Sequence, residues 1–126
     1  MGTLLIIRES FSLPFRGGEI WCEHLDGLGS RMDAIEEKFN RDLRVLLRPS
    51  TSALVALDLQ GTQLDQRAAG LIIEKLAAGP KVRRLAIIGA SRTVEHYLRA
   101  SLKKEKPRFA VQFVDGFERG KEWLIP

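Results

Sequence analysis

Apolar positions along the chain follow several spacings, and each spacing predicts a different element. Near the start, Leu4–Ile7 is rich in strand formers, Gly17 and Gly18 mark a turn, and "EIWCEHL" alternates from side to side. These features predict a β-hairpin, with Pro14 ending or breaking the first strand because its ring removes a ladder donor. On the second strand Ile20, Cys22 and His24 share one face, and Trp21, Glu23 and Leu25 share the other.

Helical spacing follows. Ser30 with Asp33 three residues on resembles a capping box, and Met32, Ile35, Phe39, Leu43 and Leu46 then recur in steps of three and four. The other face of this helix is Glu36, Glu37, Lys38, Arg41 and Arg44, and Pro49 stops it. "ALVALDL", residues 53–59, is a nearly continuous apolar run, as expected of a strand buried on both faces of a parallel sheet. Asp65 is placed to cap a second helix that turns Ala69, Ile72, Ile73 and Leu76 inward and ends at Gly79-Pro80. "RLAIIG" is a second buried strand. Ser91 caps a third helix with Val94, Tyr97, Leu98 and Leu102 inside, and Pro107 stops it. "RFAVQFV" alternates as a half-exposed edge strand does, and a short last helix carries Phe117, Trp123 and Leu124. The order β-β-α-β-α-β-α-β-α predicts a single α/β domain over residues 1–126. Its sheet is mainly parallel, joined by right-handed crossovers, with an antiparallel hairpin at one edge.

Composition narrows the class. At 126 residues with 44% hydrophobic residues, the chain can bury a core without staples, and its one cysteine, Cys22, excludes an intrachain disulfide. The apolar run Leu4–Ile7 is too short for a signal-peptide core or a membrane span, and Ile6 stands where a myristoylation pattern wants Ser or Thr. The expected location is the cytoplasm. The net charge of +4 is uneven: residues 80–108 hold nine Lys or Arg against Glu95 and Glu105, whereas the first 79 residues hold nine basic and eleven acidic ones. A solvated helix face with charged strand ends explains this segment, and a polyanion surface is the alternative. Only Tyr97 and Phe109 interleave its charges, so nucleic acid is not the expected partner.

Three segments carry a resemblance: "LVALDL", "KVRRLAIIGASRTVEHYL" and "VQFVDGFERGKEWL". In their order and spacing the chain resembles a STAS domain, the fold of anti-anti-sigma factors, and within it the SpoIIAA-like family. The resemblance spans residues 53–124 and implies a STAS-type α/β fold and a binding or regulatory role. In anti-anti-sigma factors an Asp-Ser-Ser-Gly segment after the "LDL" strand holds the phosphorylated serine. Here Asp65 matches the aspartate and Gly70 a later glycine, but Gln66 and Arg67 stand at the two serines and Ala68 at the first glycine. The resemblance therefore carries the fold without the phosphorylation switch, and the nearest hydroxyl is that of Thr62.

Candidate chemistry is sparse. His24 and His96 are the only histidines, and no third group is evident to orient His24 beside Cys22. No metal-ligand spacing of the CxxC or HxxxH kind occurs, and no cofactor motif. "IIGASRT" has one glycine and lacks both nucleotide-loop patterns, so Gly89 turns a corner, although Ser91 and Arg92 stand where a helix start attracts anions. Asp58 lies at the carboxyl end of a central strand, where open α/β sheets bind ligands, and is read as orienting its loop. The expectation is a non-enzymatic module that binds a protein partner through two loops. The first holds Asp58, Thr62, Asp65, Gln66 and Arg67, and the second Gly89, Ser91 and Arg92. The alternatives are a carrier or sensor of a small apolar or lipid-like ligand, from a likeness with which this family is often labelled, and a polyanion binder. The hairpin or the "RFAVQFV" strand also offers an edge for a homodimer.

Overall fold

A computed structural model describes residues 7–126. Five strands, β1 (Phe11–Phe15), β2 (Gly18–His24), β3 (Leu54–Asp58), β4 (Arg84–Ile88) and β5 (Ala110–Val114), form one sheet in sequence order. β1 and β2 are antiparallel and every other pair is parallel. Helices α1 (Met32–Leu46), α2 (Gln66–Ala78) and α3 (Arg92–Glu105) make the crossovers, and α4 (Phe117–Leu124) follows β5. This is the α/β layout expected from the sequence.

Strands laid down in one direction, with crossovers of one hand, put their helices on one face. Ile35 and Phe39 of α1, Ile72 and Ile73 of α2, and Val94 and Leu98 of α3 accordingly join Val55, Leu57, Leu85 and Ile87 in the main core. Each such side chain, fully buried, contributes roughly 1.5–3 kcal/mol. On the opposite face Leu124 of α4 closes a smaller core over Ile20, Cys22, Ala56, Ala86 and Ile88. Arg84 stacks over the Trp123 ring at 5.4 Å and donates to its carbonyl at 2.8 Å, tying α4 to β4.

Some local expectations differ from the structure, and one lies largely outside the described residues. The strand proposed at Leu4–Ile7 falls, for residues 4–6, outside the described residues, and Ile7 is in no strand. The first described strand is β1, with Pro14 inside it: as an edge strand β1 has N–H groups that need no ladder partner, and a proline is tolerated there. The turn is Arg16-Gly17, both at positive φ (50° and 79°), the two-residue connection that matches strand twist. Ser30 does not cap α1: Arg31 occupies the cap position and makes no side-chain cap, its guanidinium holding Asp33 through two 3.1 Å hydrogen bonds.

Lys38, expected on the outer face of α1, is in fact 3% exposed. Its ammonium donates to Asp42 Oδ2 and Ser10 Oγ, both at 2.8 Å, and Ser10 accepts the His24 backbone N–H at 2.9 Å. Glu23, 1% exposed, faces the same group and accepts the Trp21 indole N–H at 2.9 Å. Burial pushes the Glu23 carboxyl up to about 9, helped by its contact with Asp42. Burial alone would raise Asp42 as well, but hydrogen bonds from Glu23, Lys38 and Ser10 outweigh it and hold Asp42 below the usual carboxylate range. Glu23 Oε2 is buried and makes no hydrogen bond among the described residues. With the Glu23 carboxyl raised and Asp42 lowered, the two carboxyls carry one negative charge between them at neutral pH, opposite Lys38.

Candidate functional site

The carboxyl ends of β2, β3 and β4 gather the polar groups singled out above. His24 ends β2 and Asp58 ends β3, and the parallel register sets them side by side. Both belong to the face that α4 covers, since they continue the alternation of Cys22 and Ala56. Asp26 follows two residues after His24. His24 Nδ1 lies 2.8 Å from Asp26 Oδ1 and 3.7 Å from Asp58 Oδ2. Phe11 of β1 stacks on the imidazole, with centroids 5.7 Å apart and planes at 21°. The cluster opens into a cleft of about 560 Å³ bounded by Arg8, Glu9, Phe11, Gln60 and Phe117. Asp58 is raised above the usual carboxylate range, chiefly by burial and further by Asp26, against the Gln60 N–H and His24. Neighbouring Cys22 is pushed up to about 11 by burial, which Lys121 opposes and Asp58 reinforces, so its thiol stays protonated at neutral pH.

The loops beneath are stitched together. Gly27 N–H donates to Gln60 O at 2.7 Å, Gly29 N–H to Gly61 O at 3.0 Å and Gln63 N–H to Gly29 O at 2.8 Å. Thr62, 1% exposed, accepts the Leu28 N–H at 3.1 Å and donates to the Leu25 carbonyl. Its hydroxyl holds the two connections together and faces no solvent. Asp58 Oδ1 accepts the Gln60 N–H at 3.1 Å and so orients the loop. Asp65 Oδ1 accepts the Ala68 N–H at 2.7 Å and caps α2, and Ser91 Oγ accepts the Val94 N–H at 3.2 Å and caps α3. Gly89 has φ +69°, and a Cβ there would lie 2.1 Å from Gln60 Cγ. It turns a corner against the neighbouring loop, and only glycine fits that approach.

The sequence-derived residues separate into three places. Asp58 joins the His24 cleft. Gln66 and Arg67 edge a groove between α2 and α3 that includes Tyr97 and Ser101. Gly89 borders a hollow of about 590 Å³ with Glu95, Asp115, Arg119 and Trp123. Arg92 is exposed at the start of α3. Arg67 is exposed but ion-paired to Glu36 of α1, which offsets the charge that the sequence places there. His24 was set aside in the sequence for want of an orienting group, and Asp26 was not singled out. The structure supplies that group twice, from Asp26 and Asp58. The His-x-Asp spacing at a strand end was the available signal, but the pairing with Asp58 needs β2 and β3 to be known neighbours.

Compared with protein-family models, curated proteins and solved structures, the chain matches none. Among the described residues no helix is long and apolar enough to cross a membrane.

Proposed function

We propose that the chain is a STAS-like, non-enzymatic binding or regulatory module of the cytoplasm. It engages a protein partner through the β3–α2 and β4–α3 connections. The observation that carries this reading is the cross-linked platform at the carboxyl ends of the strands. Loop-to-loop hydrogen bonds and two capped helix starts hold Gln66, Arg67 and Arg92 outward in fixed positions. A surface that is already ordered loses little entropy on binding. Buried Thr62 and the absence of a hydroxyl at Gln66, Arg67 and Ala68 make binding constitutive rather than switched by phosphate. The test is recovery of a partner from native extract, identified on wild type and then compared across variants. Arg67→Glu with Arg92→Glu is expected to lose that partner, Lys81→Glu to keep it, and phosphatase treatment to change nothing. Equal recovery from all variants places the contact elsewhere.

A second reading, a small-ligand sensor, draws on the cleft beside Phe11 and Phe117. Arg8, Glu9, His24 and Asp58 in its walls suit a polar or charged ligand better than a lipid. Native mass spectrometry of protein from its own host separates the two: a bound small-molecule mass favours the sensor, and the apo mass alone removes it.

A further inference from the structure

We propose that His24, Asp26 and Asp58 form a binding site for a divalent transition cation of the Zn²⁺ class. The site adjoins the β3–α2 connection through Asp58 but uses none of Gln66, Arg67 and Arg92. One donor atom from each residue falls within 4.8 Å of the other two. A tetrahedral ion with bonds of about 2.0–2.1 Å sets its donors roughly 3.3 Å apart. The separations from His24 Nδ1, 2.8 Å to Asp26 and 3.7 Å to Asp58, straddle that value, and the two carboxylates lie within 4.8 Å of each other, so side-chain shifts alone complete the geometry.

Four further observations point the same way. Asp58 is 8% exposed, and its Oδ2, turned toward His24, has no hydrogen bond among the described residues. The second oxygen of each carboxylate is anchored elsewhere: Asp58 Oδ1 by the Gln60 N–H at 3.1 Å, and Asp26 Oδ2 by Arg8 at 3.5 Å. Such outer contacts orient ligating carboxylates, and the Phe11 ring fixes the imidazole plane in the same way. Charge is also unbalanced. Two largely buried carboxylates meet one imidazole, Glu9 lines the same cleft, and the cation beside Asp26, Arg8, is itself 63% exposed. Finally, the cleft of about 560 Å³ leaves room for the water or ligand that fills an open coordination position. The single imidazole nitrogen selects a borderline transition ion over Mg²⁺ or Ca²⁺, which prefer all-oxygen sites.

The test is calorimetric titration of chelator-treated full-length protein with Zn²⁺, with Mg²⁺ as comparison. The expected result is one Zn²⁺ per chain at micromolar or tighter Kd, with Mg²⁺ bound at least tenfold more weakly. His24→Ala and Asp58→Asn are each expected to weaken Zn²⁺ at least tenfold. His96→Ala, which removes the only other histidine, is expected to leave it unchanged. Should the variants misfold, the imidazole nitrogen shifts of wild-type His24 during the same titration decide: they move in step with Zn²⁺ occupancy. Absence of binding below 100 μM, binding that survives His24→Ala, or binding that depends on His96 overturns the proposal.

Discussion

Glu23 sets a steep pH dependence on stability. Folded, its carboxyl holds a proton up to about 9, and unfolded it titrates at its ordinary value of 4.5. Between those values the native chain binds one more proton than the unfolded chain, so stability falls as pH rises. The contribution is complete below 4.5 and is lost progressively toward 9. One proton across the window gives a slope of about 1.4 kcal/mol per pH unit, or roughly 3 kcal/mol between pH 6 and pH 8. Asp42 shifts downward, so its own contribution is lost only as pH falls through the acid range, outside this window. Glu23→Gln keeps the hydrogen bond from Trp21, which its amide oxygen accepts, and turns a neutral amide nitrogen toward Asp42. The variant carries no titrating proton and should lose the slope. Urea denaturation of both proteins at pH 6, 7 and 8 reads the difference directly. Wild type should lose about 2–3 kcal/mol more than Glu23→Gln across that range. Parallel stabilities at all three values would refute a shared proton between Glu23 and Asp42.

Asp65→Ala and Ser91→Ala each remove a helix cap and should cost about 1 kcal/mol in denaturant midpoint analysis; no change would mean that the caps are dispensable. Gly89→Ala meets both a positive φ and Gln60, and should cost about 1–3 kcal/mol, of which a paired Gln60→Gly recovers only the steric part. Full recovery in that pair would show that the backbone carries no strain. Cys22 should be inert to a thiol reagent at pH 8 in the native state and release one equivalent after urea, because burial holds its thiol at about 11. Equal native and unfolded rates contradict that burial.

Elements whose signal is local in sequence were legible before the fold was known. The run "ALVALDL" and the caps Asp65 and Ser91 each carry their structural cause within a few residues. Pro14 misled because its effect depends on whether the strand is an edge, which is a property of the whole sheet. Lys38 misled because helical periodicity assigns a face but not a partner. It is buried because Asp42 of its own helix, Ser10 just before β1 and Glu23 of β2 converge on it. The His24 cluster was hidden for the same reason. Its spacing along the chain is 2 and 32 residues, and only the register of β2 against β3 makes it compact. Thr62, in turn, reads as an exposed loop hydroxyl until the β2–α1 connection is laid over it.

The proposed recognition surface lies at the carboxyl ends of β3 and β4. A photo-crosslinking residue placed in vivo at position 66, 92 or 81 tests it most directly. Gln66 and Arg92 stand at the starts of α2 and α3, and Lys81 is exposed just before the amino end of β4. Positions 66 and 92 are expected to capture one and the same protein, and position 81 is expected to capture none. Capture from position 81 alone, or with equal yield from all three, would contradict that placement.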